Sequence, residues 1–366
     1  MKKFLPLLFV LILISCSEKK NPEKIENKTD NSVIEPDILS PYNEDNNIDS
    51  PAFYDNGSRG MVLATAKGTH KLVIYDAETG DSIGSYGDFG RKFGEFKRPN
   101  GIWVIDSLCF VVERDNHKVQ VLKLPEFETI GIFGKFKLIK PYGISVVRTA
   151  DIPVSSEARA TSDYDYRIYV TDNYETEDEQ LPADSALYRR VSVFDMKIRN
   201  EDNDIITKFR NFIGPTEGEG RLKVVESIYA DPANDNLLVA EELEGAGKTM
   251  IKVFDLDGNF KKNIGEGLFK SQAEGIALYK CDDKNGFWIS TDQSKESNIF
   301  HFFDRRTFEP LAQFDSGKLS NTDGIWLHQN PIGEHKAGQF IAVNNDGGIG
   351  IWDLGKLMDK LELSCE

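Results

Sequence analysis

Three carboxylates in this chain stand where a buried strand should begin: Glu226 before SIYA, Glu274 before GIAL and Asp323 before GIWL. The same place in three similar segments holds Ser50, Asn100 and Tyr142. A second set of polar residues closes apolar runs: Lys67, Arg114, Asn173, Glu241, Glu242, Gln293 and Asp346. Carboxylates brought together repel one another unless they take up protons or share a cation. Carboxylate oxygens suit a hard cation such as Ca²⁺, which accepts about 6–8 oxygen ligands. Zinc would want nitrogen or sulfur donors. The histidines show no paired spacing, and no zinc-type Cys/His pattern occurs. Lys67 and Arg114 add the opposite chemistry, since a guanidinium forks onto phosphate oxygens and an ammonium contributes a point charge.

Such residues work together only if the fold collects them, and the repeats indicate how. A strand ending in aromatic-Asp, a turn and a second strand recur at KLVIYDAETGDSIGSYG, VSVFDMKI, IKVFDLDGNFKKNIG, FHFFDRRTFEPLAQF and GIGIWDLGKL. KVQVLKLPEFETIGIFG is a sixth copy without the aspartate. Asp76, Lys123, Asp195, Asp255, Asp304 and Asp353 are then equivalent, at intervals of 47, 72, 60, 49 and 49 residues. Glu78-Thr79-Gly80 and Asp257-Gly258 supply hairpin turns. Each copy is preceded by two further strands, as in NGIWV and CFVVERD. Four-stranded units at this period predict an all-β, six-bladed β-propeller. Insertions are expected at 149–165 and 198–221, and the N-terminal strand region is expected to help close the ring.

In a propeller the first strand of each blade lines the central channel, and its neighbour runs antiparallel. Starts of first strands and ends of second strands therefore meet at one face. Ser50, Asn100, Tyr142, Glu226, Glu274 and Asp323 should converge there with the second polar set, placing Lys67 and Arg114 across the channel from the acids.

The chain has 366 residues and a formal net charge of −16, which argues against a nucleic-acid partner. Lys2 and Lys3 followed by an apolar run to Ile14 read as an export signal, too short to span a bilayer. Leu13-Ile14-Ser15-Cys16 resembles the lipobox of bacterial lipoproteins. That resemblance implies a signal peptide over 1–15, lipidation at Cys16 and an exported lipoprotein of the cell envelope, on the outer membrane or cell surface. Residues 16–45 read as a disordered polar tether and 46–361 as the propeller. Cys109, Cys281 and Cys365 are an odd remainder, which does not describe a disulfide framework. Cys109, inside LCFVVE, reads as a small core residue.

VVESIYADPANDNLLVAEE, AEGIALYKCDDKNGFWISTDQSKESNIFHFFDR and NTDGIWLHQ follow, in order and spacing, the pattern of the β-propeller phytases, which the chain resembles over about residues 47–358. The resemblance implies a monomeric, calcium-dependent phosphomonoester hydrolase that releases phosphate from myo-inositol hexakisphosphate by metal-activated water. It implies Asp49, Glu226, Glu241 or Glu242, Glu274 and Asp323 as Ca²⁺ ligands, with Glu226, Glu274 and Asp323 catalytic. It implies Lys67, Arg114 and Tyr142 as phosphate-site residues. The chain departs from the family at Asp49-Ser50, where paired aspartates are expected, at Gln272, and at Thr171-Asp172-Asn173, where a lysine is expected. GDFGRKFGEFKRPNGIWVIDSLCFVVERDNHKVQVLKL resembles an NHL repeat, which implies the alternative of a non-catalytic binding propeller.

Overall fold

Alternating apolar residues along short strands leave each sheet with two faces to bury, and here each four-stranded sheet packs them against its neighbours. The computed structural model describes Met1 and residues 32–57, 59–153, 163–199, 204–243 and 247–365. Contacts divide the chain into Met1–Asp30 and Asn31–Glu366, and the second unit is the propeller. The expected signal peptide, Cys16 and the tether as far as residue 31 lie outside the described residues.

Six four-stranded antiparallel sheets form a six-bladed β-propeller. The inner strands are Ile48–Asp55, Pro99–Ile105, Pro141–Arg148, Val225–Asp231, Gln272–Lys280 and Ile325–His328. Six apolar clusters fill the six interfaces between blades. Between blades five and six, for example, Phe300, Phe314, Phe340 and Trp352 are buried together. The repeated aspartates are turn-makers: Asp76 accepts the backbone N–H groups of Glu78 and Thr79 at 2.8 and 2.9 Å, and Asp304 serves Arg306 and Thr307 in the same way. Gly80 and Gly258 take the positive φ that these hairpins need.

The ring is closed by the N-terminal segment. Ile38–Leu39 pairs with Gly348–Asp353 as the outer strand of blade six, opposite Ile351 and Gly350. Ile34 is buried nearby, and its carbonyl accepts the Trp352 indole N–H at 2.9 Å. The propeller thus begins near Val33, and the tether expected up to residue 45 ends earlier. Two isolated isoleucines in polar sequence give little periodicity to read, yet blade six supplies only three strands from the C-terminus and needs them. The helix Leu354–Lys360 follows, and Cys281 bonds to Cys365 across 84 residues. This corrects the reading of the cysteines: two of the three pair at a separation that spacing alone does not reveal. Cys109 is buried and free, as expected.

Blade three also differs from expectation. Asp204–Ile213 is its outer strand, paired with Val191–Arg199. Much of the supposed insertion over 198–221 is therefore sheet, and the excursion lies at 173–190, between the second and third strands.

Candidate functional site

Five inner strands break register with their neighbours after the first or second residue, at Asp49-Ser50, Asn100-Gly101, Tyr142-Gly143, Glu226-Ser227 and Glu274-Gly275. Asp323-Gly324 directly precedes the sixth strand and holds the same place. The glycine allows close approach of adjacent inner strands: a Cβ on Gly143 would meet the Glu226 carbonyl at 2.1 Å, and one on Gly101 the Tyr142 carbonyl at 2.4 Å. Pairing of Pro51 with Ala64 and of Ile102 with Val111 sets the alignment. Asp49, not Ser50, is therefore the equivalent of Asn100. The expected ring is shifted by one residue in blade one, because proline in place of isoleucine and serine in place of glycine obscured the register. The ring reads Asp49, Asn100, Tyr142, Glu226, Glu274, Asp323.

The ends of the second strands contribute two tiers with different work. Glu113, Asp172, Glu241 and Asp292 are buried and accept backbone N–H groups from the loop entering their own blade. Glu241 takes those of Lys223 and Val224, both at 2.8 Å, and Asp292 takes those of Lys270 and Ser271 at 2.8 and 2.9 Å. Glu241, expected as a calcium ligand, is thus committed to the backbone. The next residues along, Lys67, Asn173, Glu242 and Gln293, reach the ring.

Two halves result. In one, the Lys67 ammonium lies 2.8 Å from Asp49 and 2.8 Å from Asp323. Tyr142 donates its hydroxyl to Asp49 at 2.9 Å, Asn100 donates at 3.3 Å, and the Gln293 amide donates to Asp323. Two carboxylates expected as ligands share there the single ammonium of a lysine expected to hold phosphate. In the other half, Glu226, Glu242 and Glu274 each offer an oxygen within 4.8 Å of the others. Glu242 and Glu274 are each 3% exposed, and Glu242 Oε1 has no hydrogen-bond donor unless the two carboxyls share a proton. Arg114 is not part of either half: its guanidinium pairs with Asp115 at 3.3 Å. Asp346 stands beside the site, holding Asn321 at 3.0 Å with its other oxygen buried and unpartnered.

The electrostatics follow from this crowding. Burial first, then the Asp323 and Asp49 charges, pushes the Glu226 carboxyl up to about 8. Burial and the neighbouring Glu226 hold Glu242 and Glu274 well above the carboxylate range. Burial lifts Asp323 to about 7 against the pull of Lys67. Without a cation this cluster keeps protons at neutral pH.

Below the ring, Ile102, Ile144, Ile228, Ile276 and Ile325 line the channel, and Trp103, Tyr229 and Trp326 follow. These aromatics were not singled out as site residues, although GIW, SIY and GIW in blades two, four and six carried the signal.

No protein-family model matches the chain, and no curated protein matches it. Solved structures do resemble it. Hydrazine synthase of Kuenenia stuttgartiensis matches with a TM-score of 0.46 at 13% identity, covering 94% of this chain and 83% of that one. A streptogramin B lyase matches with a TM-score of 0.45 at 12% identity, covering 85% and 84%. A chain of a nidogen/laminin complex matches with a TM-score of 0.46 at 13% identity, covering 75% and 82%.

Proposed function

We propose that the channel mouth holds Ca²⁺ and that the chain is a calcium-dependent phosphomonoester hydrolase of the kind the β-propeller phytases represent, exported and lipidated at Cys16. The observation that carries this reading is the convergence of Glu226, Glu242 and Glu274 within 4.8 Å, with a buried Glu242 oxygen that has no donor other than a proton shared with Glu274. That donor set is all oxygen and fits a hard divalent cation. These three carboxylates would hold the ion, which would supply positive charge toward a phosphoryl group and acidify a water. Asp49, Tyr142 and Asn100 fix the position of Lys67 at the edge of the trio. Lys67 places a cation at that mouth, and it would have to loosen from Asp49 or Asp323 to engage a phosphate.

A second reading, a non-catalytic binding propeller that keeps the ion, is favoured by a specific observation. Lys67 already has two carboxylate partners, and Arg114 is engaged by Asp115. Phosphate release from myo-inositol hexakisphosphate, measured with calcium and with chelator, separates the two. Calcium-dependent release that is lost in Glu274→Gln supports the hydrolase. No release, with a thermal midpoint still raised by calcium, leaves the binding propeller. No response to calcium of either kind overturns both.

A further inference from the structure

The inner strands end at the face opposite the carboxylates, where their last residues ring a funnel. Asp55, Ile105, Arg148, Asp231, Lys280 and His328 line two cavities of about 420 and 630 Å³. Both have Tyr229 and Trp326 in their walls, and the larger also has Trp103. The three aromatics come from one strand position in alternate blades, and the remaining blades place Ala52, Ser145 and Ala277 there. That alternation of large and small makes room for the rings. Trp103 meets Tyr229 edge to face at 5.1 Å and Trp326 at 5.2 Å, the ring planes crossing at 66° and 71°. The trio therefore forms an angular aromatic floor between the channel and the funnel.

The rim is rich in charge, but much of that charge is spoken for. Arg305 pairs with Asp231 through two bonds, at 2.7 and 2.9 Å, and Arg148 pairs with Asp106. A strongly ionic ligand would have to break such pairs, and stranding a buried charge is costly. A wholly apolar ligand fits no better. The His328 ring stacks on Phe53 at 3.7 Å, and its buried Nε2 has no partner. Asn330 stands exposed beside it.

We propose that this funnel is a second binding site, separate from the channel mouth, and that it takes a neutral saccharide. The size is that of small-molecule sites, about 300–1,000 Å³. A sugar ring presents a face of C–H groups to the electron-rich face of an indole or phenol, and hydroxyl edges to polar groups at the rim. The aromatic floor, the paired Arg148 and Arg305 guanidiniums and the polar His328 and Asn330 at the rim together match that chemistry.

The test is a titration of the intact chain with maltotetraose, cellotetraose, xylotetraose and chitotetraose, followed by tryptophan emission and calorimetry. At least one should saturate with a dissociation constant tighter than about 1 mM. Trp326→Ala should weaken it about tenfold or more. His328→Leu, which keeps a side chain against Phe53 and removes the nitrogen, should weaken it several-fold; it decides the matter if Trp326→Ala does not fold. Glu274→Gln should leave it unchanged, because the site is separate. Absence of binding by all four sugars, or binding unaffected by Trp326→Ala or, where that variant does not fold, by His328→Leu, overturns the proposal.

Discussion

Lys67 divides the acidic mouth into a half whose two carboxylates share one ammonium and a half of three crowded carboxyls, and the predictions at residue scale follow from that split. Glu274→Gln removes one of three crowded carboxyls that must hold a proton, or bear an uncompensated charge, in the folded chain, so the calcium-free variant should melt higher than the parent. Its calcium affinity should fall by about tenfold or more, seen as loss of the calcium-induced rise in thermal midpoint. The pH response should be equally specific. Glu226 and Asp323 titrate near 8 and 7 in the folded chain, above their unfolded values. Between about pH 4 and those values the unfolded state loses protons that the folded state retains, so stability falls as pH rises. Thermal melts in chelator from pH 5 to pH 8 should show a declining midpoint, and excess calcium should flatten or reverse the decline. A midpoint that rises with pH in chelator would contradict this electrostatic account.

At the scale of elements, strand ends divide the work by position. In blades three and four the last residue of the second strand, Asp172 or Glu241, caps backbone and the next one faces the channel; in blade five Asp292 caps and the last strand residue, Gln293, faces the channel. Glu241→Ala should leave two buried N–H groups unpaired and cost about 2–4 kcal/mol of stability, while calcium affinity stays near that of the parent. Glu242→Ala should do the reverse, and paired melts and calcium titrations distinguish them. This adjacency explains how much of the site was legible in the sequence. The repeats put Glu226, Glu274 and Asp323 at strand starts and so predicted their convergence. They left Glu241 and Glu242 as alternatives, because one residue of register separates a cap from a channel-facing side chain. The same one-residue uncertainty gave the place of Asp49 in the ring to Ser50, and Arg114 occupied the right position yet turned to Asp115.

For the whole molecule, ring closure is where the sequence was least explicit. Periodicity revealed six blades because each repeats the same strand and turn chemistry. The closing strand Ile38–Leu39 repeats nothing and lies in a segment that reads as polar tether. The Cys281–Cys365 bridge is likewise a long-range fact. Loop-closure entropy over that separation corresponds to about 4.6 kcal/mol as an upper estimate. Cys365→Ser should therefore lower the thermal midpoint under oxidising conditions and have no further effect under reducing ones. Truncation to Asn47 should expose the edge of blade six and lower the midpoint more severely, measured beside the bridge variant.

The central claim is that Glu226, Glu242 and Glu274 form a cation site, and direct calorimetric titration of Ca²⁺ into chelator-stripped protein at pH 7 tests it most directly. Saturable binding is expected, with an apparent heat that changes with the ionisation enthalpy of the buffer because the crowded carboxyls release protons as the ion enters. Glu242→Gln should abolish or strongly weaken it. Absence of binding in the parent, or equal affinity in Glu242→Gln, would contradict the account.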